Sequence, residues 1–235
     1  MTSTKDFETF LNANPNAAFH DWLRESAEPY WTKATAHRFT EELAEGTLDP
    51  QICARYLVQD YAFVDSFVSL LGYAVAYAPS MPQKRPFAGF LAAVTSEEND
   101  YFLRSFQALE VPESEWRSPQ LAPVTAKLLS VLQDSGRSGS YPLVLATLLA
   151  AEWSYLTWGL ACGDRRPQEF WMAEWIDLHA VPEFERFVTW LRDETSRVGT
   201  TAPPEVQQQM CRTFCHMMEL EERFFDHAYE PEAGC

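Results

Sequence analysis

The chain has 235 residues, of which 46% are hydrophobic and 14% aromatic, and its formal net charge is −16 at pH 7. That hydrophobic content can bury a sizeable core and excludes a disordered chain, apart from its two ends. Phosphate repels so acidic a surface and no basic stripe relieves it, which argues against nucleic acid and against an anionic membrane as partners.

No long Pro/Gly/Ser linker divides the sequence, so residues 1–235 are expected to form a single helical domain, with 1–15 and 230–235 loosely ordered. The first residues are polar and carry no apolar signal-like run. The five cysteines (Cys53, Cys162, Cys211, Cys215, Cys235) are sparse and odd in number. Both features predict a cytoplasmic protein with reduced thiols.

Glycine is scarce, strand-like alternation is nearly absent, and apolar residues recur at three- and four-residue spacing. This pattern predicts an all-α bundle with helices at about 18–45, 50–78, 82–110, 120–135, 142–162, 168–179, 182–198 and 204–229. Asp49-Pro50 supplies a cap and a first-turn proline for the second helix. Pro79-Ser80-Met81-Pro82, the Ser135–Ser140 run and Ala202-Pro203-Pro204 mark further breaks. The segment from Tyr141 to Cys162 is long enough to span a bilayer and carries one formal charge, Glu152. It is expected to be the central helix of the bundle instead, because the charge falls mid-segment and its neighbours are amphipathic.

Three carboxylates interrupt apolar stripes. Asp60 lies among Tyr56, Phe63, Val64, Phe67 and Leu71. Glu152 lies among Leu145, Leu148, Leu149, Tyr155 and Leu156. Glu221 lies among Met210, Phe214, Met217, Phe224 and Phe225. A buried carboxylate either finds partners or holds its proton to higher pH. Three of them on three helices predict a polar pocket with aromatic walls, suited to a small planar molecule and to acid–base chemistry.

In order and spacing these residues resemble the TenA (thiaminase II) family. The matching segments are Gly46-Thr47-Leu48 leading to Tyr56, Gln59, Asp60 and Phe63; Gly72 through Ala78; Leu148, Leu149, Ala151, Glu152, Trp153, Tyr155 and Gly159; Trp175-Ile176; and Glu221, Phe224, Phe225, Ala228 and Tyr229. The resemblance covers roughly residues 25–230. It implies a heme-oxygenase-like helical fold and hydrolysis of pyrimidines in thiamin salvage. The substrate would be an aminomethyl pyrimidine or its N-formyl derivative, with no cofactor and no metal. It also implies that Asp60 binds the exocyclic amine, that Phe63, Tyr155 and His179 line the pocket, and that the protein forms a dimer or tetramer. The family's main branch places a nucleophilic cysteine two residues before the central-helix tryptophan, where this chain has Ala151. The resemblance is therefore to the cysteine-lacking branch, with Glu152 and Glu221 as the catalytic carboxylate pair.

Two other functions fit the same fold. A di-iron oxidase would need metal ligands, for which the sequence offers the reversed pair His216 and Glu219, or a looser set of His37, Glu97 or Glu98, and His179. A pyrimidine-binding or regulatory module would keep the pocket and lack the chemistry.

Overall fold

The computed structural model describes residues 6–230, in which thirteen α-helices and one π-type turn are present and no strand. The helices are α1 (Phe7–Ala13), α2 (Phe19–Ser26), α3 (Tyr30–Thr35), α4 (Arg38–Glu45), α5 (Pro50–Tyr77), α6 (Met81–Ala93), α7 (Asn99–Ala108), α8 (Glu113–Arg117), α9 (Pro123–Arg137), α10 (Tyr141–Ala161), α11 (Phe170–Leu178), α12 (Pro182–Thr201) and α13 (Pro204–His227). The π-type turn, Val94–Glu98, joins α6 to α7 with helical backbone on both sides.

Three expectations change. The stretch 18–45 is three helices. Pro29 cannot donate the backbone hydrogen bond that would carry α2 into α3, and His37 then caps α4 by accepting from the Phe39 N–H at 3.1 Å. Part of the N-terminal stretch is ordered: Asp6 Oδ1 accepts from the Thr9 N–H at 2.7 Å, and Phe7 packs edge-on against Phe19 with centroids 4.9 Å apart. The short helix α8 lies between two predicted helices, where the spacing predicts none. The expectation for 231–235, like that for 1–5, lies outside the described residues.

The other boundaries follow their local chemistry. Asp49 Oδ1 accepts from the Gln51 N–H at 2.7 Å, with Pro50 in the first turn of α5. Gly46 ends α4 at φ 70°, a left-handed conformation that costs glycine no Cβ clash.

The core is organised around α10. Among the described residues it is the one helix long and apolar enough to cross a membrane, yet residues Val144 to Ser154 are all buried, enclosed by α3, α5, α9, α12 and α13. At its C-terminal half Gly159 lets α11 approach closely. A Cβ there would collide with the His179 carbonyl. This contact fixes His179 beside the middle of the bundle.

A carboxylate-lined cavity as candidate active site

A cavity of about 620 Å³ opens between α5, α6, the π-type turn, α10, α11 and α12. Its polar wall is built from Asp60 on α5, Glu98 at the end of the π-type turn, Glu152 and Tyr155 on α10, and His179 just after α11. Seven aromatic residues, Phe63, Phe67, Phe90, Trp175, Phe184, Phe187 and Trp190, share the remaining wall with aliphatic ones. The exposed side chains of Glu97, Glu183 and Arg186 mark the mouth. Arg186, the one cation on this lining, is engaged with Glu183 at 2.5 Å.

The structure brings the expected residues Asp60, Phe63, Glu152, Tyr155 and His179 to one cavity. Glu221 does not border it. α13 packs flush against α10, and the Glu221 carboxylate is enclosed behind the wall at 2% exposure, with Oε1 lacking a hydrogen-bond partner. Asp60 Oδ2 and Trp175 Nε1 are likewise buried without a protein partner. The hydroxyls of Tyr56 and Tyr155 lie 2.9 Å apart beside these acids.

Glu98 is the addition the structure makes to the cluster. The signal for it was present: Glu98 interrupts the apolar series Val94, Tyr101, Phe102 in the same way that Asp60 interrupts its own.

No cation stands among these four acids, and each holds its proton abnormally well. Burial pushes Glu98 up to about 7 and Glu221 up to about 8. Asp60 is raised well above the usual carboxylate range by burial first, then by the charges of Glu98 and Glu221, with a hydrogen bond from Tyr56 pulling the other way. Glu152 is raised by burial, then by Glu98, Glu221 and Asp60 in that order. Such a set can give and take protons near neutrality, which carboxylates in water cannot.

His179 is neutral. Its Nδ1 donates to the Trp175 carbonyl at 2.8 Å, and burial depresses it to about 4. Its ring leans on Trp175 and Tyr155, with centroids 4.4 and 5.0 Å away.

Among the described residues, no group of three His, Cys, Asp or Glu side chains is arranged to hold a metal ion. The looser ligand set named from the sequence is not brought together. His37 spends one nitrogen on capping α4 and sets the other 3.3 Å from Asp226, while His179 stands at the cavity. His216 and Glu219 form a partly exposed pair, 3.8 Å apart. None of the described cysteines lines the cavity, and Ala151 occupies the wall beside Glu152.

The sequence model of the TENA/THI-4/PQQC family matches residues 24–231. An aminopyrimidine aminohydrolase of Halalkalibacterium halodurans is 23% identical over 210 residues, covering 88% of this chain and 93% of that protein. The crystal structure of a protein from Silicibacter sp. TM1040, described as a TenA family transcription regulator, superposes with a TM-score of 0.81 at 22% identity, covering 93% of this chain and all of the other. A Shewanella denitrificans domain of unknown function with a heme oxygenase-like fold superposes with a TM-score of 0.65 at 14% identity over 91% of this chain and 93% of that domain. The fold is therefore all-α and heme-oxygenase-like.

Proposed function

The chain belongs to the TENA/THI-4/PQQC family, and we propose that it is a C–N hydrolase acting on aminopyrimidines of thiamin salvage, working through carboxylates in place of a cysteine thiolate. The observation that carries this reading is the cluster of proton-holding acids on the wall of an aromatic cavity. Relatives described as aminopyrimidine aminohydrolases, which match this chain over most of their length, support the class of reaction.

A flat aminopyrimidine suits the cavity chemically. Its exocyclic amine donates to Asp60, whose Oδ2 has no protein partner, and its ring lies against Phe63, Tyr155, Trp175 and His179. Glu152, on the same wall, serves as the acid or base for the substituent on the pyrimidine's methylene carbon. Water adds its oxygen to the carbon that bears the leaving nitrogen, and the C–N bond breaks. One carboxylate takes the proton from water while a protonated carboxyl gives its own to the departing nitrogen, ammonia from an aminomethyl group. For an N-formyl substrate the attacked carbon is the formyl carbonyl. Glu221, behind the wall, acts on Asp60 and Glu152 through its charge. The protein acts in the cytoplasm as a dimer or tetramer.

The experiment is direct. Purified protein is given 4-amino-5-aminomethyl-2-methylpyrimidine or its N-formyl derivative, and release of ammonia or formate is followed. Turnover of at least one is expected. Ala151 on the wall also favours a second reading, a pyrimidine-binding module. Stabilisation against heat by the hydroxymethyl pyrimidine, with no turnover of either substrate, would establish the module and refute the hydrolase.

A further inference from the structure

Two carboxylates that border the cavity, Glu98 and Glu152, sit on different elements and face the same space. Resting on the hydrolase reading above, we propose that Glu98 is the general base of the reaction, taking the proton from the attacking water, with Glu152 as the acid that serves the leaving nitrogen.

Several observations lead there. Glu98 is half-buried, whereas Asp60, Glu152 and Glu221 are all buried; it borders the cavity, so water can reach it. Its backbone is a π-type turn, a conformation found mostly as single turns inside α-helices and frequently at functional sites. Two hydroxyls in the turn bond back to carbonyls of the preceding helix, a contact that bends helices. Thr95 Oγ1 donates to the Leu91 carbonyl at 2.8 Å, and Ser96 Oγ donates to the Ala92 carbonyl at 2.7 Å. Just beyond it, the Tyr61 hydroxyl donates to Asn99 Oδ1 at 3.0 Å and ties the segment to α5. Electrostatics agree. Among neighbouring charges, that of Glu98 weighs most on both Asp60 and Glu152. Glu98 itself rises only to about 7, while Glu152 stands well above the ordinary range. The negative charge of an ionised Glu98 then helps Glu152 keep the proton it must donate.

The cycle balances. Water transfers a proton to the Glu98 carboxylate as its oxygen bonds to the carbon. The carbon–nitrogen bond breaks, and the nitrogen takes the proton from the Glu152 carboxyl. Return of the proton from Glu98 to Glu152 resets the site with no change in oxidation state.

The test compares wild-type protein with Glu98→Gln, Glu98→Asp and the exposed control Asp100→Asn, each measured for kcat, KM and the pH dependence of kcat/KM. Facing Glu98 are Asp60 of α5, Glu152 and Tyr155 of α10, His179 beside α11, and Glu183 with Arg186 of α12, and Glu221 lies behind them. A rise in kcat/KM through about pH 7 is the limb assigned to Glu98. Glu98→Gln should lower kcat about 100-fold or more, leave KM little changed and abolish that limb. Glu98→Asp should keep the limb at an intermediate rate, and Asp100→Asn should behave as wild type. Thermal melts that match the wild type separate lost chemistry from lost folding. An active wild type whose Glu98→Gln variant keeps both its rate and its acidic limb overturns the assignment while leaving the hydrolase reading intact. A folded wild type that turns over neither pyrimidine overturns both.

Discussion

Glu194 and Glu152 are the same residue type, both buried on long helices, at 5% and 8% exposure. Glu194, on α12, is held by a two-pronged contact from Arg197, whose Nε lies 2.7 Å from Oε2 and Nη2 2.6 Å from Oε1, and it accepts from the Tyr141 hydroxyl at 3.1 Å. Its charge is fully answered, so it fastens α12 to the start of α10 and does little else. Glu152 has no cation beside it and shares its surroundings with three other acids. A buried carboxylate is therefore no marker of a site by its burial. The marker is burial without an opposite charge, next to an open cavity.

The largest effect expected from breaking this comparison is chemical. Glu152→Gln should lower kcat by about 100- to 10,000-fold while the protein stays folded. Glu194→Gln should leave kcat near wild type and cost about 1–3 kcal/mol in denaturant melts, because it weakens a charge-assisted contact whose arginine is half in water. Loss of activity in Glu194→Gln with none in Glu152→Gln would reverse the roles of the two glutamates.

Next is the effect of pH on stability. A carboxyl whose pKa is raised in the folded state keeps a proton that the unfolded chain has released. Its stabilising contribution is complete below the ordinary carboxylate range, near pH 4, and is lost as pH rises through the folded value, about 8 for Glu221. Within that window each retained proton is worth up to roughly 1.4 kcal/mol per pH unit. Urea melts from pH 5 to pH 8.5 (about the span of that window) should show stability falling, and Glu221→Gln should flatten the fall. Stability that rises over that window would contradict the unpaired cluster.

The smallest effect tests position. Gly159→Ala brings a Cβ against the His179 carbonyl, and α11 must shift to admit it. A loss of about 1–3 kcal/mol is expected, together with weaker pyrimidine binding by calorimetry, since His179 moves with the helix.

Much of this arrangement was legible in the residues themselves. The cap at Asp49 with Pro50 sets the start of α5, and the break that ends at Ser140 precedes α10. Acids interrupting apolar stripes pointed to Asp60, Glu152 and Glu221 as inward-facing. Helical spacing says which side of a helix is buried, however, and not whether that side meets another helix or a cavity. Glu221 meets α10 and its neighbours, so it lies behind the wall. The π-type turn was invisible for a related reason. Val94–Glu98 carries no proline or glycine, and regular spacing runs through it, so nothing local signals the wider coil. The stretch 18–45 misled in the opposite way. Its apolar periodicity continues across Pro29 although the backbone cannot.

The central claim is that four acids of one cluster hold protons near neutral pH because no positive charge answers them. Carbon-13 NMR of labelled Asp and Glu side-chain carboxyls, titrated from pH 4 to pH 9 and assigned by single Gln or Asn substitutions, reads those protons one by one. Glu98 should titrate near 7 and Glu221 near 8, with Asp60 and Glu152 titrating above the ordinary carboxylate range. Four carboxyls that all titrate in the ordinary range around pH 4 would contradict the account.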